Sequence, residues 1–271
     1  MKHAYLIIAH NEFEVLRRLV AALDDKRSDI FIHYDRKVRA LPEIATEKSD
    51  LHVLEDRVDV KWGTVSQIKA EYALFEAAGK VGGYSHYILI SGTHFPLVGN
   101  DRIASFLAEN EGNSILPCME NASDYQVDMK MRRVNILPGT IVWRAFLKIQ
   151  RLLGIRINRS TRFYNAGNWV CLSESAMRYL VERKKTILKK YRFSFCGDEF
   201  FVPTELMASS LADTVVFSRE LLKFEIGRSN ARVYTLEDYD ELMASGCLFA
   251  RKFDGVNMNV VNMIYKWINR K

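Results

Sequence analysis

An adjacent pair of carboxylic acids, Asp198 and Glu199, lies in an aromatic segment of the chain and has the chemistry of a general base. Phe195 and Phe200 flank the pair on either side. Apolar neighbours desolvate a carboxylate, raise its pKa and make it a better proton acceptor near neutral pH. A plainer interpretation is that Asp198 caps a helix and Glu199 favours the positive helix N-terminus. The local pattern leaves both interpretations open.

Two cations further along the chain, Arg232 and Lys252, could hold a phosphate-bearing ligand. Lys252 lies in the run 248–254, where an extended conformation would put Arg251 and Lys252 on opposite sides. Arginine offers a two-pronged donor and lysine a compact point charge, so the pair suits a diphosphate. The alternative is that both are ordinary surface cations.

An Asp-x-Asp pattern at Asp238 and Asp240 matches the type that holds a divalent cation in many sugar-nucleotide enzymes. It falls inside a predicted helix, whereas a metal site of this type should follow a strand of the sheet. We interpret it as a solvated acidic helix face. The six histidines form no HExxH motif and no close ligand pair. The sequence therefore predicts no metal site.

The stretch 144–162 is both basic and apolar, and it contains no acidic residue. Its cations, with Arg133 nearby, interleave with leucines, isoleucines and a phenylalanine. A basic amphipathic helix can lie on an anionic membrane surface. Alternatively, the helix covers the domain and its cations extend into solvent. A nucleic-acid partner would rest on this stretch alone and is not expected.

The first half of the chain alternates between strand and helix patterns. Apolar runs of strand length and segments of helical spacing predict strands at 4–9, 30–34, 51–54 and 86–90 and helices at 12–23, 66–78 and 105–109. This order predicts a Rossmann-like α/β sheet flanked by helices. In the less regular second half, the patterns predict strands at 169–173 and 215–217 and helices at 174–188, 200–206 and 235–243.

Polar or turn-forming residues follow the predicted strands of the first half. They are His10, Asp35, the Trp62-Gly63 turn and residues 91–94. Ligands of such sheets bind at the carboxyl ends of the strands, so a binding region is expected there. The same residue types also end strands for purely structural reasons.

The composition is that of an ordinary globular chain of 271 residues, with a formal net charge of +6. The modest basic excess suits phosphate-bearing ligands or an anionic membrane surface. The four cysteines are scattered and form no CxxC pair, so a zinc site is not expected. No signal peptide and no apolar stretch of spanning length is recognised, so a reducing, cytoplasmic setting is expected.

Taken together, several segments resemble the core-2/I-branching β-1,6-N-acetylglucosaminyltransferase family, which also holds the peptide-O-xylosyltransferases. The segments occur in the family's order, at 4–10, 16–19, 32–37, 60–66, 89–97, 167–173, 197–199 and 248–254. The resemblance implies a GT-A-type fold, a Rossmann-like mixed sheet flanked by helices. It also implies one glycosyltransferase domain over 1–271, with a nucleotide-binding half at 1–115 and an acceptor and catalytic half at 116–271.

The resemblance also implies roles for individual residues. Glu199 is similar to the family's catalytic base, and Arg232 and Lys252 are similar to the cations that hold the UDP diphosphate. The uridine-site positions are matched by Ala9, His10, Asp35 and Trp62, and the sugar-contact positions by His94, Trp169 and Asp198. His94 departs from the family pattern, because the family commonly has Asp at this position.

The activity implied by the resemblance is an inverting sugar transfer, of N-acetylglucosamine by preference, from a UDP-sugar to a glycan or lipid-linked acceptor. No metal or other cofactor is expected. The chain looks like a short bacterial-type member, without the family's stem, membrane anchor and disulfide framework. A role in surface polysaccharide synthesis is therefore expected, with peripheral contact at the inner membrane face through residues 144–162. The alternative is a non-catalytic nucleotide-sugar or glycan-binding protein.

Overall fold

The computed structural model describes residues 1–118, 122–225 and 231–270. Its strands are β1 (His3–Ala9), β2 (Ser28–Tyr34), β3 (Leu51–Val53), β4 (His86–Ser91), β5 (Phe95–Pro96), β6 (Ser114–Pro117), β7 (Cys171–Ser173), β8 (Val215–Ser218), β9 (Leu222–Phe224) and β10 (Phe249–Arg251). Its α-helices are α1 (Phe13–Leu23), α2 (Ser66–Val81), α3 (Asn100–Glu109), α4 (Asp124–Met131), α5 (Ile141–Leu152), α6 (Glu174–Glu182), α7 (Lys184–Tyr191), α8 (Asp198–Met207), α9 (Tyr239–Ala244) and α10 (Met258–Ile268).

The apolar runs of the first half become the parallel part of a seven-stranded mixed sheet. The strand order is β3-β2-β1-β4-β7-β6-β8, in which β3, β2, β1 and β4 run parallel to one another. Strand β7 is antiparallel to both β4 and β6, and β8 is parallel to β6. The predicted mixed sheet flanked by helices is therefore confirmed. The division at residue 115 falls within β6, so both halves contribute strands to one sheet.

Alternation along β1 divides the core between the two faces of the sheet. Tyr5 and Ile7 pack in one apolar cluster with α1, α3 and α10. Ala4 and Leu6 pack in the other cluster with α2, α6 and α8. Successive side chains of a strand point to opposite faces, so a strand buried on both sides reads as a continuous apolar run. The helices thereby hold the carboxyl ends of β1, β2 and β4 at one edge.

The helix predicted at 174–188 is wrong as a single element, because the chain breaks at Arg183 into α6 and α7. The hydroxyl of Tyr72, on α2, donates a hydrogen bond to the carbonyl of Leu180 at 3.0 Å. In a continuous helix that carbonyl would accept from the N–H four residues later, at Lys184. The side chain of Lys184 is also held against α2, where its ammonium pairs with Glu76. A contact between distant segments therefore ends the helix.

Helix α8 begins at Asp198, two residues before the predicted start, and contains Pro203. Proline lacks the N–H that would bond the carbonyl four residues earlier, which here belongs to Glu199. That carbonyl accepts instead from the N–H of Ala166, at 3.4 Å. The proline therefore frees a backbone acceptor that ties the segment before Trp169 to the start of α8.

Within the described ranges 1–118, 122–225 and 231–270, no helix has both the length and the apolar character needed to cross a membrane.

Candidate active site

A cleft of about 760 Å³ opens at the carboxyl ends of β1, β2 and β4. Strand β1 lies between β2 and β4, so the chain's connections diverge there, which is where open α/β sheets bind ligands. Both halves of the chain line the cleft. The predicted site residues among its walls are His10, Asp35, Trp62, Trp169, Asp198, Glu199 and Lys252.

Asp35 and Lys37 shape the part of the cleft that follows β2. The buried carboxylate of Asp35 accepts a hydrogen bond from the backbone N–H of Lys37 at 2.9 Å and pairs with its ammonium at 3.1 Å. The same ammonium reaches the carbonyl of Val60, just before Trp62. One lysine, which the sequence interpretation missed, therefore joins the two loops that carry the predicted uridine contacts.

His10, directly after β1, faces a group of cations across the cleft. Burial lowers the pKa of His10, and the charges of Lys252, Lys37 and Arg251 lower it further, although Asp35 opposes them. The imidazole is therefore neutral at physiological pH. A neutral imidazole leaves the positive charge of this wall to the lysines and the arginine.

Arg251 and Lys252 both line the cleft, at the end of β10. Strand β10 is the central strand of a small sheet, antiparallel to β5 and parallel to β9. The guanidinium of Arg251 lies 5.1 Å from the ring of Trp169 and 5.3 Å from that of Phe224. Burial lowers the pKa of Arg251 to about 10, so it remains charged. The predicted separation of Arg251 from Lys252 to opposite sides is wrong.

Arg232 is not among the residues that line the cleft. Its guanidinium pairs with Glu225 at 2.8 Å and also with Asp238. Its backbone lies beside the site, because the N–H of Lys252 donates to the carbonyl of Arg232 at 3.2 Å. The diphosphate role of Arg232 stays a prediction, and it would require the side chain to leave two carboxylates.

The interpretation of Asp238 as part of a solvated acidic face is wrong. The side chain is buried, and it accepts a hydrogen bond from the backbone N–H of Thr235 at 2.7 Å while also pairing with Arg232. Neither Asp238 nor Asp240 lines the cleft. Asp238 therefore caps a short 3₁₀ turn before α9 and anchors Arg232.

His94 and Ala9, two predicted ligand contacts, do not line the cleft. The ring of His94 is turned inward, because its Nδ1 accepts from the backbone N–H of Ser91 at 3.0 Å and lies 2.7 Å from the Ser91 hydroxyl. Burial lowers its pKa well below the usual value, and its ring lies 4.9 Å from that of Trp169. His94 therefore supports Trp169 from behind. Ala9 is buried, and its carbonyl accepts from the N–H of Asp35.

Glu199 presents its carboxylate to the cleft and pairs with Lys130 of α4 at 2.7 Å. The Glu199 side chain is 36% exposed, so an incoming molecule can reach it. The ammonium of Lys130 also lies 5.6 Å from the ring centre of Phe200. Sequence interpretation missed Lys130, which holds the carboxylate at the cleft wall.

Asp198 does not cap α8, and that interpretation is wrong. Gly197 occupies the cap position without a side-chain bond, while one oxygen of Asp198 accepts from the side-chain amide of Gln67 at 2.8 Å. Burial, and then the charge of Glu199, raise the pKa of Asp198 to about 7. The desolvation expected for this acidic pair therefore falls on Asp198.

A cluster of three aromatic rings, Trp62, Phe195 and Trp143, joins the cleft to α5. The ring of Phe195 lies 5.1 Å from Trp62 and 5.2 Å from Trp143 of α5. Gly63 gives Phe195 its place, because a Cβ there would lie 2.4 Å from a ring carbon, and its φ of +73° is also one that side chains disfavour. Trp62 is 69% exposed at the mouth, where it offers a face to a flat ligand.

A family described as Core-2/I-Branching enzyme matches residues 3–226, well over half of the chain. The chain belongs to the Core-2/I-Branching enzyme family. Members of this family are glycosyltransferases of GT-A-like fold, which take a nucleotide-sugar donor and a glycan acceptor. A search of curated proteins finds no match.

The matched range of this Core-2/I-Branching enzyme includes the acidic pair and ends before Arg232 and Lys252. In residues 1–118, 122–225 and 231–270, no three His, Cys, Asp or Glu side chains are grouped so that they could hold a metal ion. Among the described residues, the lysines and arginines of the cleft wall are Lys37, Arg39, Arg251 and Lys252. Independence from metal stays a prediction for this Core-2/I-Branching enzyme.

Proposed function

We propose that the chain is an inverting transferase that moves N-acetylglucosamine from UDP-N-acetylglucosamine to a glycan hydroxyl without a metal ion. The observation that carries this proposal is one cleft with a reachable carboxylate, Glu199, on one wall and two cations, Arg251 and Lys252, on another. A sugar transfer needs a base for the acceptor and positive charge for the leaving diphosphate.

The proposed reaction is a direct displacement. Glu199 takes the proton of the acceptor hydroxyl, whose oxygen forms a bond to the anomeric carbon. The bond from that carbon to the phosphate oxygen breaks on the opposite face, and UDP leaves with the electron pair. Lys252 and Arg251 stabilise the growing charge on the diphosphate, in the position that a metal would otherwise fill. Arg232 could join them after releasing Glu225 and Asp238.

The test is release of UDP from a panel of donors by the wild-type protein and by Glu199→Gln. Loss of the base should lower turnover by roughly 10²–10⁴-fold while UDP binding survives. The matched control is Glu174→Gln, an exposed glutamate paired with Arg178 on α6, which should keep full turnover. Turnover of Glu199→Gln equal to that of the control would remove Glu199 from the role.

Metal independence is tested in the same assay with excess EDTA. Full activity is the expected result, because lysine and arginine charges replace the cation. Loss of activity that manganese restores would contradict the metal-free part of the proposal and leave the transferase part standing.

The second candidate is a non-catalytic nucleotide-sugar or glycan-binding protein. It is favoured by one observation, the ion pair between Glu199 and Lys130, which engages one oxygen of the proposed base. This candidate binds UDP-sugars but releases no UDP from any donor of the panel.

We also propose that α5 docks on an anionic membrane. The helix turns polar Gln150 inward, where its amide bonds the backbone of Val134 at 2.8 and 2.9 Å. Leu147 is buried beside it, but apolar side chains at both ends of the helix point outward, with Ile141 84% and Leu152 86% exposed. A helix that merely covered the domain would show the opposite arrangement.

The charge around α5 complements anionic lipid. No acidic residue occurs between Asp128 and Glu174, and Arg144, Lys148 and Arg151 on α5 are exposed. Arg133 is predicted to belong to this set of surface cations, but its side chain is buried and pairs with Asp128 at 2.8 Å. An apolar face bordered by cations is the combination that interfacial helices use.

Membrane docking supports a lipid-linked saccharide as acceptor and a role in bacterial surface polysaccharide synthesis. Trp143 of α5 contacts Phe195, and Phe195 contacts Trp62 at the cleft. A docked α5 would therefore hold the aromatic side of the cleft near the headgroups, at the inner face of the membrane.

A further inference from the structure

Glu71 lies in the wall of the cleft and has no partner for either carboxyl oxygen in the described part of the chain. It is on α2, one helical turn after Gln67, and only 1% of it is exposed. Burying a carboxyl group without a hydrogen bond is costly, so natural proteins rarely keep one without a reason. No step of the proposed displacement uses Glu71.

Asp198 adds a second unsatisfied acceptor beside Glu71. One of its oxygens accepts from Gln67, while the other, Oδ1, has no partner within residues 1–118, 122–225 and 231–270. Burial, and then the charge of Asp198, raise the pKa of Glu71 well above its ordinary value, which favours the protonated form. A protonated carboxyl both donates and accepts hydrogen bonds.

We propose that Glu71 and Asp198 bind hydroxyl groups of the donor's sugar, an inference that rests on the proposed transferase function. Sugar hydroxyls also donate and accept, so they can satisfy all of the unpaired oxygens together. A diphosphate offers acceptor oxygens only, so it has no proton to donate to these unpaired oxygens, and it has Arg251 and Lys252 elsewhere in the cleft.

The burial of Glu71 indicates that the sugar bound there is the donor's sugar and not the acceptor. The acceptor must reach Glu199, which is open to solvent at the wall. Glu71 is almost fully buried and therefore lies deeper. We therefore assign this buried position to the sugar that is attached to the nucleotide, and the exposed position at Glu199 to the acceptor.

The experiment compares the binding of UDP and UDP-N-acetylglucosamine by calorimetry in the wild type, Glu71→Met and Glu71→Gln. Glu71→Met should weaken the sugar nucleotide about tenfold, because a buried hydroxyl loses its partner, and should leave UDP unchanged. Glu71→Gln keeps the shape and part of the hydrogen bonding, so its loss should be smaller. Glu76→Gln, on the same helix but paired with Lys184, is the matched control and should bind both ligands normally.

Thermal unfolding of the ligand-free proteins separates this role from a structural one. Glu71→Met removes an unsatisfied buried carboxyl at similar volume, so its melting temperature should equal or exceed that of the wild type. A clear decrease in melting temperature would show that Glu71 supports the fold and would overturn the inference.

The binding outcomes distinguish the two levels of proposal. If Glu71→Met weakens UDP and the sugar nucleotide equally, or neither of them, the sugar subsite is overturned while the transferase proposal stands. A wild-type protein that binds neither UDP nor UDP-N-acetylglucosamine overturns the donor proposed for the transferase, and the subsite falls with it.

Discussion

Asp198 and Glu199 are adjacent carboxyls in the cleft, but their different burial and partners suit them to different roles. Glu199 is reachable from solvent and paired with Lys130, whereas Asp198 is buried and bonded to Gln67. Burial holds the proton on Asp198 up to about pH 7. Glu199 is therefore the member of the pair that an acceptor hydroxyl can reach, and Asp198 is the member suited to hydrogen bonding with a sugar.

Lys130 is predicted to be a positioning residue for Glu199. Lys130→Met removes the 2.7 Å ion pair, so the carboxylate loses its fixed orientation. We expect kcat to fall about tenfold with little change in the KM for donor, because misplacement of a reacting group mainly affects the chemical step. Steady-state kinetics of UDP release measures both constants, and Lys130→Arg should restore part of kcat.

The control for Lys130 is Lys190→Met, which breaks a similar 2.7 Å pair with Glu205 outside the cleft. An equal fall in kcat for both variants would mean that Lys130 acts through stability alone.

Asp198 should make the stability of the fold depend on pH. Its pKa is raised from 3.8 to about 7 by burial, so above pH 3.8 the folded state binds more protons than the unfolded state. The contribution of Asp198 is therefore fully present below pH 3.8 and is lost as the pH rises to about 7. Urea unfolding of wild type and Asp198→Asn from pH 4 to pH 7.5 should show the wild type losing free energy of unfolding relative to the variant. A difference that stays constant with pH would contradict the assignment.

At the scale of elements, the turn before α2 is the most constrained connection of the site. Gly63 has a positive φ and lies against Phe195, while its neighbour Trp62 faces the cleft. Because the turn, the cluster of aromatic rings and the segment that leads into α8 contact one another, a change in the turn should reach Glu199. The N–H of Cys196 donates to the carbonyl of Gly63 at 3.1 Å, which completes this connection.

Gly63→Ala should destabilise the protein by about 1–3 kcal/mol, since the new methyl group would overlap Phe195 and the left-handed φ would be strained. Thermal or urea unfolding measures the loss. Gly112→Ala is the matched control, with a φ of +78° and no atom within 4 Å of the added Cβ. If Gly112→Ala costs as much as Gly63→Ala, the clash with Phe195 makes no contribution.

At the scale of the whole molecule, the basic excess concentrates around one outward-facing apolar helix. The chain has a formal charge of +6, and no acidic residue occurs between Asp128 and Glu174. Under the proposed membrane docking, this side of the molecule would face anionic lipid, and Trp143 and Phe195 would connect it to the cleft. Docking through α5 would orient the cleft relative to the membrane surface.

Co-sedimentation with phosphatidylglycerol-rich vesicles should retain the protein, and neutral phosphatidylcholine vesicles should not. Ile141→Ser with Leu152→Ser should abolish retention, because the apolar contact is lost. Lys148→Glu with Arg151→Glu should abolish it through charge, whereas Lys185→Glu with Lys189→Glu, on α7, is the matched charge control. Equal retention of all variants would contradict docking through α5. If the wild type is instead a dimer, and the double variant Ile141→Ser with Leu152→Ser is a monomer, the apolar face of α5 binds a second copy of the chain.

Local patterns alone were sufficient for the parallel strands of the first half and for α1 and α2. Their apolar runs and helical spacing depend on residues close in the chain, so a sequence shows them directly. The carboxyl ends of the predicted strands also indicated the edge of the sheet at which His10, Asp35 and Trp62 line the cleft. The sequence alone, through its resemblance, also indicated the family and Glu199 as the candidate base.

Only the tertiary structure decided which side chains share the cleft. Lys130 is separated from Glu199 by 69 positions, and Gln67 from Asp198 by 131, so no local pattern connects either pair. The break at Arg183 likewise depends on a distant partner, because Tyr72 of α2 bonds the carbonyl of Leu180, 108 positions away. Hydrogen bonds and burial join residues by distance in space, and that distance is set by the packing of the whole chain rather than by neighbours in sequence.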